Sequence, residues 1–166
     1  MTHPPARAPV SPGQRSVWDF PRPPAIEQWH EHVVLRLGDV VVADTTEAWC
    51  VLETSHPPTY YLPPSAFAEG TLRPAPGSSY CEWKGRATYL DIVAGDAVAE
   101  RAAWAYPDPT SGFISLQDHV SLYPAAMGSV TVDGVEVQPQ PGGFYGGWIT
   151  PRVAGPFKGS PGTLDW

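Results

Sequence analysis

Proline and glycine are the sequence feature that most constrains how this chain can fold. Its 166 residues include 21 prolines and 16 glycines, together more than a fifth of the chain. Proline has no backbone N–H and disrupts helix interiors, and glycine in regular structure carries an entropy cost. Long helices are therefore disfavoured, and the composition predicts short strands joined by tight turns.

Two dipeptides predict β-hairpins. Gly38-Asp39 and Asp133-Gly134 each separate two short runs of apolar, mostly β-branched residues. Asp-Gly is typical of a type I′ turn, which joins adjacent antiparallel strands. Further runs predict strands at 49–53, 59–62, 80–92 and 96–105. We expect about eight to ten strands and no alternation of strands with helices, which indicates an all-β, mostly antiparallel fold.

The chain divides into three predicted parts. Residues 1–24 lack periodicity and are rich in breakers, so we expect a flexible tail. Residues 25–141 hold the β domain, and residues 142–166 form an irregular, glycine-rich arm that carries five aromatic residues: Phe144, Tyr145, Trp148, Phe157 and Trp166. A flexible linker would lack such rings. We expect them to pack on the domain or on a partner, which leaves open a homodimer formed through the arm.

Charge and cysteine content limit the partners and the compartment. There are 17 acidic and 10 basic residues, for a net charge of −7. An acidic chain without a basic run argues against nucleic-acid binding. We find no membrane-spanning apolar run and no signal peptide. Cys50 and Cys81 are expected to stay reduced, so the sequence predicts a cytoplasmic protein.

Three motifs in order resemble one family closely. They are VVVADTTEAWCVLETSHPPTYYLPP at 40–64, YCEWKGRATYLDI at 80–92 and AAWAYPDP at 102–109. The chain is similar over roughly residues 26–150 to the domain of unknown function 427 (DUF427). The resemblance implies a β-tent, or Mss4-like, fold, with two antiparallel sheets splayed from a shared edge.

The same resemblance raises two chemistries that this sequence does not support. Relatives in the broad fold class hold zinc with two Cys-x-x-Cys pairs, and this chain has none, so we expect no metal or other cofactor. The family also carries a nucleotidyltransferase label. That reaction needs paired acidic residues for magnesium, and no Asp-x-Asp follows Gly77-Ser78.

Two charged residues are the leading site candidates. Glu53 follows the apolar run Val51-Leu52 in a stretch that matches the family pattern, and would lie near a strand end. It could act as an acid, a base or a hydrogen-bond acceptor; the alternative is a carboxylate that binds nearby loop amides. Lys84 lies between Trp83 and Gly85, where it could hold an anion or a carbonyl; the alternative is a solvated side chain.

Aromatic residues are expected to line the same site. Trp104 and Tyr106 share one face of a strand, and adjacent Tyr60 and Tyr61 face opposite sides of theirs. A plain aromatic core is the alternative. The predicted ligand-binding set is Glu53, Tyr61, Lys84, Tyr89, Trp104 and Tyr106.

Three functions remain open at this point. The leading hypothesis is a β domain that binds a small molecule or a peptide in an aromatic and polar pocket. The alternatives are an enzyme that uses Glu53 and Lys84 as acid–base or electrostatic groups, and a structural or interaction module. An enzyme requires the ionisable groups to converge, and an interaction module requires an exposed apolar patch.

Overall fold

The computed structural model describes residues 5–166, and that range contains short strands and 3₁₀ turns but no α-helix. The strands are β1 (Arg15–Ser16), β2 (Ala25–Trp29), β3 (Val33–Leu37), β4 (Val40–Thr45), β5 (Ala48–Leu52), β6 (Thr59–Tyr61), β7 (Leu72–Cys81), β8 (Gly85–Ala94), β9 (Ala97–Ala105), β10 (Val120–Leu122), β11 (Ser129–Val132), β12 (Val135–Glu136), β13 (Gln138–Pro139), β14 (Trp148–Ile149) and β15 (Val153–Ala154). The 3₁₀ turns are η1 (Val17–Asp19), η2 (Pro64–Ala66), η3 (Ser111–Leu116) and η4 (Pro124–Ala126). The predicted mostly β structure is confirmed. No helix in residues 5–166 is long and apolar enough to cross a membrane.

Three antiparallel sheets form the body of the protein. The hairpin sheet has the order β12-β11-β3-β4, the cavity sheet has the order β10-β9-β8-β7, and the short sheet has the order β2-β5-β6. Two further two-stranded pairs are present: β13 with β14, which is antiparallel and lies within the C-terminal part of the chain, and β1 with β15, which is parallel and joins the two ends of the chain.

Both predicted hairpins are present in the hairpin sheet. Leu37 pairs with Val40 across the first turn, and Val132 pairs with Val135 across the second. Asp133 and Gly134 have φ angles of 51° and 79°. Positive φ at both central positions defines the type I′ geometry that Asp-Gly favours. Local turn chemistry therefore determines these two connections.

Residues 72–79 of strand β7 were not predicted as a strand, because this stretch contains Pro74, Pro76 and Gly77. The strand lies at the edge of the cavity sheet and pairs only with β8 among the described residues. Proline is tolerated on an edge strand, where its missing N–H costs no ladder bond. The pairing register shifts between Ala75 and Ser78, which accommodates the irregular segment.

Part of the segment predicted as a flexible tail is ordered. Residues 1–4 of that segment lie outside the described residues. Arg15 and Ser16 pair with Val153 and Ala154, and Val17 is fully buried in the main core. The sequence pattern did not indicate this order, because the strand that pairs with β1 lies near the opposite end of the chain.

The buried side chains form two clusters. The main core lies among the hairpin sheet, the short sheet and the inner face of the cavity sheet. A second group, here called the aromatic cluster, comprises Val51, Tyr61, Ala87, Trp104, Tyr106, Phe113 and Leu116. Adjacent Tyr60 and Tyr61 do face opposite sides of β6, as predicted, and each enters a different cluster. Both rings are fully buried.

Candidate ligand-binding cavity

A cavity of about 630 Å³ opens beside the aromatic cluster. Its walls come from the cavity sheet, from β5 and β6 with the loop that joins them, and from the C-terminal arm. The structure brings all six residues of the predicted set to this cavity: Glu53, Tyr61, Lys84, Tyr89, Trp104 and Tyr106. They come from sequence positions up to about fifty residues apart, so their convergence is a property of the tertiary fold.

Aromatic side chains with fixed hydroxyl and N–H groups form the deepest wall. Trp104 lies on β9 and Tyr106 follows two residues later, so both side chains project from the same face. The Trp104 indole Nε1 donates a hydrogen bond to the Tyr61 hydroxyl at 3.3 Å. The rings of Tyr61 and Tyr106 lie 6.1 Å apart, and those of Trp104 and Tyr123 lie 4.7 Å apart. These contacts hold the rings of the wall in fixed positions relative to one another.

Tyr89 lies on β8, beside Trp104 in the sheet register. Its hydroxyl donates to Ser79 Oγ at 2.8 Å, and the Arg101 guanidinium lies 4.4 Å from its ring centre. The ring is partly exposed. Tyr89 therefore forms the outer part of the aromatic wall, nearer the mouth of the cavity.

Lys84 lies in the turn between β7 and β8 and reaches over the deep wall. Its Nζ is 5.8 Å from the Tyr61 ring centre and 5.6 Å from the Tyr106 ring centre, within cation–π range. Burial lowers the pKa of Lys84, but Tyr61, Cys81 and Glu53 outweigh burial and raise the pKa above its ordinary value. The ammonium is therefore protonated at neutral pH.

Glu53 directly follows β5 and faces the cavity with a partly exposed carboxylate. Its Oε2 lies 3.2 Å from Arg22 Nη2 and 3.5 Å from His56 Nε2. Arg22 also donates to the Thr54 carbonyl at 3.0 Å, so this arginine is held at the β5 end. The nearest cation to Glu53 is thus Arg22, from the segment predicted as a tail, and not Lys84.

His56 is a buried, neutral imidazole. The Gln140 amide donates to His56 Nδ1 at 3.1 Å, which leaves the proton on Nε2, toward Glu53. Burial lowers the pKa of His56 to about 4, with further lowering by the positive charges of Lys158, Arg22 and Lys84. The ring therefore adds no positive charge to the cavity at neutral pH.

The C-terminal arm covers one side of the cavity at close range. A Cβ on Gly146 would overlap the Trp104 ring, so only glycine allows the backbone this approach. Tyr145 packs edge-on against His56 at 4.7 Å, and Lys158 Nζ lies 5.5 Å from the Tyr145 ring centre. The arm thus contributes a backbone wall, an aromatic ring and an ammonium group.

Buried contacts fix the arm to the domain. The Trp148 ring stacks on Tyr60 with centroids 4.5 Å apart and planes 10° apart. Gln140 donates to the Lys158 carbonyl at 2.8 Å and accepts from the Gly147 N–H at 3.0 Å. Of the two environments predicted for the arm's rings, the structure shows Trp148 packed on the domain itself.

Sequence reasoning missed three polar side chains at or beside this cavity: the charged Arg22 and Lys158 and the neutral His56. Arg22 and Lys158 lie outside the predicted β domain, and no local pattern connects them to it. One sequence feature could have pointed to Lys158: it and Lys84 are the only two lysines in the chain.

The remaining cysteine and histidine residues do not cluster. Cys50 and Cys81 are both free thiols, and burial raises the pKa of Cys50 well above its ordinary range. His32 Nε2 lies 2.7 Å from Asp44 Oδ1. Within residues 5–166 there is no group of three or more histidine, cysteine and acidic side chains placed to hold a metal ion.

Fold and site together define a mostly β domain with an open cavity that is walled by aromatic rings and carries few ionisable groups. The chain belongs to the family described as Domain of unknown function (DUF427), which matches residues 25–134. All six predicted site residues lie within that match, whereas Arg22 and the arm lie outside it. A comparison with the curated proteins found no match.

Proposed function

We propose that this protein binds a small organic molecule in the aromatic cavity. The observation that carries the proposal is a cavity of about 630 Å³ that combines an aromatic wall with a few converging polar groups. Pockets for small ligands are of this size and have this composition, with apolar walls and a small number of orienting polar atoms.

A small molecule is favoured over an extended peptide. Peptides commonly add a strand to an exposed sheet edge, and the edge nearest this cavity is β7. That strand carries Pro74 and Pro76 and a register shift, so its backbone is a poor template for a further strand. A ligand held by side chains within the cavity does not need such an edge.

Binding is also favoured over acid–base catalysis by Glu53 and Lys84. A lysine that acts as a general base near neutral pH needs a lowered pKa, and that of Lys84 is raised. Glu53 is engaged by Arg22 at 3.2 Å. Both groups are better suited to hold and orient a ligand by charge than to transfer protons.

We also propose that the fold is a β-tent. We assign the hairpin sheet and the cavity sheet to the two sheets of a β-tent. Support comes from their equal number of four strands, from their antiparallel order and from the main core that both contribute to. In this arrangement the cavity lies on the face of the cavity sheet that is turned away from the main core.

The test is a fragment screen monitored by two-dimensional NMR, with one variant that fills the cavity. Thr59 lines the cavity on β6, and Thr59→Trp should occlude it. Thr131 is a threonine of similar, partial exposure on β11 of the hairpin sheet, so Thr131→Trp is the matched control. We expect fragment-induced shifts to cluster on cavity residues in the wild type and in the control variant Thr131→Trp. In Thr59→Trp these shifts should disappear.

Two results would contradict the proposal. Shifts that are scattered over the surface, or that persist unchanged in Thr59→Trp, would show that fragments do not use the cavity. Binding of short peptides alone, with shifts along β7, would replace the small molecule by a peptide ligand.

A further inference from the structure

The only two lysines of the chain line the same cavity. Lys84 comes from the β7–β8 turn and Lys158 from the C-terminal arm, 74 positions apart in the sequence. The other basic side chains are eight arginines, and none of them lines this cavity. Compact ammonium groups are thus concentrated at one site of a protein whose net charge is −7.

Neither lysine is neutralised by an ion pair. In the part of the chain that the structure describes, no carboxylate oxygen lies within 4.0 Å of either Nζ. Glu53, which lines the same cavity, is engaged by Arg22 instead. Glu82 also lines the cavity, but its side chain is exposed to solvent. A partly enclosed ammonium without a carboxylate partner leaves charge-assisted hydrogen bonds unused.

The aromatic rings do not offer a site for a cationic ligand. Rings of this kind can hold ammonium groups by cation–π attraction. Here Lys84 already lies over Tyr61 and Tyr106, and Lys158 lies over Tyr145. A second cation in the same space would be repelled by both lysines. The two ammonium groups, which have no ion-pair partner within the described residues, therefore favour a negative ligand.

We propose that the ligand is an aromatic acid, a planar apolar body with one anionic group that is held by Lys84 and Lys158. This inference rests on the proposed function and specifies its ligand. The rings of the deep wall contact the planar body, and the ammonium groups hold the anion. Because Lys158 belongs to the arm, outside residues 25–134, the arm supplies half of the charge recognition.

The test compares naphthalene probes that differ only in charge. The probes are 2-naphthoate, 2-naphthyl phosphate, neutral 2-naphthamide and cationic 2-naphthylmethylamine, titrated into the full chain by NMR. We expect 2-naphthoate to bind at least about tenfold more tightly than 2-naphthamide, as a charge-assisted hydrogen bond implies, and the amine not to bind. A carboxylate and a phosphate ester share the required charge, and whichever of the two binds more tightly identifies the anionic group.

Variants assign the effect to the two lysines. Lys84→Met and Lys158→Met should each weaken 2-naphthoate binding about tenfold and leave 2-naphthamide binding unchanged, since only the charge-assisted contact is lost. Arg36→Met removes an exposed cation from the hairpin sheet and is the matched control, with no expected effect. Lys84→Arg keeps the charge and should retain most of the affinity for 2-naphthoate.

A second measurement on the wild type does not depend on whether the variants fold. Limited acetylation followed by mass spectrometry should show both lysines protected by 2-naphthoate, with the same reaction in the presence of 2-naphthamide as the control. Equal affinity for 2-naphthoate and 2-naphthamide would overturn the inference but leave the proposed cavity function standing. Absence of binding by all four probes, together with a failed fragment screen, would overturn both.

Discussion

His56 makes the stability of this protein depend on pH through a single buried ring. In the unfolded chain a histidine titrates near pH 6.5, whereas the pKa of His56 in the fold is about 4. Between these values the unfolded state binds a proton that the folded state does not. Lowering the pH through this range therefore favours unfolding, and well above pH 6.5 the ring contributes no pH dependence.

We expect the free energy of unfolding to fall by up to about 3 kcal/mol between pH 7 and pH 4 because of His56, given about 1.4 kcal/mol per pKa unit. His56→Gln should remove most of this fall, since glutamine does not titrate. Urea denaturation at pH 7, 5.5 and 4 measures the difference between the two proteins.

The exposed His30 supplies a control for that experiment, because His30→Gln makes the same chemical change outside the core. Asp91 does not interfere in this range. The Arg101 backbone N–H and Arg73 lower the pKa of Asp91. The stability that Asp91 contributes is therefore present above its ordinary pKa near 3.8 and is lost only at lower pH. Parallel pH curves for the wild type and His56→Gln would show that the ring does not carry this effect.

At the scale of elements, the C-terminal arm is the feature that completes the cavity. Its glycines allow the backbone to lie directly on neighbouring groups, with Gly146 against Trp104 and Gly142 against the Gly159 backbone. Trp148 and Gln140 anchor the segment on either side of this contact. The arm therefore forms a close-packed wall of the cavity. It requires glycine where its backbone lies closest to neighbouring groups.

Gly146→Ala should lower both stability and ligand binding. The added Cβ would overlap the Trp104 indole, and overpacking of this kind costs about 1–3 kcal/mol. We expect a loss of stability of that size in urea denaturation and weaker binding of 2-naphthoate, since the arm must move off the ring.

Gly112→Ala is the matched control for this substitution. Gly112 lies in η3 on the surface, and a Cβ there would meet no atom within 4 Å. If Gly146→Ala and Gly112→Ala were equal in stability and in probe affinity, the arm would not be a close-fitting wall.

At the scale of the whole molecule, the described residues show hydrophobic packing and strand pairing, with no disulfide and no cluster of metal-ligating side chains. Both cysteines are free, and Cys50 lies in the main core while Cys81 borders the aromatic cluster. A chain of 166 residues is long enough to bury a sufficient core by itself.

We expect neither a chelator nor a reductant to change the melting temperature. Any change should stay below the roughly 2–4 °C that 1 kcal/mol produces in a domain of this size. Differential scanning calorimetry with EDTA, with dithiothreitol and with neither makes the comparison. A fall of many degrees with either reagent would indicate a stabilising metal or disulfide.

Features encoded by neighbouring residues were predictable from the sequence. Asp133-Gly134 specifies a type I′ turn because both residues tolerate positive φ, and strand alternation alone sends Tyr60 and Tyr61 to opposite sides. The breaker-rich composition excluded long helices for the same local reason. Motif order was enough to identify the family and to select six of the residues that line the cavity.

Other features depended on contacts between distant parts of the chain. Residues 15–16 became a strand only because residues 153–154 lie beside them, and β7 tolerates its prolines only because it is an edge. Arg22 and Lys158 reach the site from opposite ends of the sequence. Backbone propensity and side-chain period act over a few residues and are visible in the sequence. The cavity, its charge balance and its arm instead arise from long-range packing, which only the tertiary structure decided.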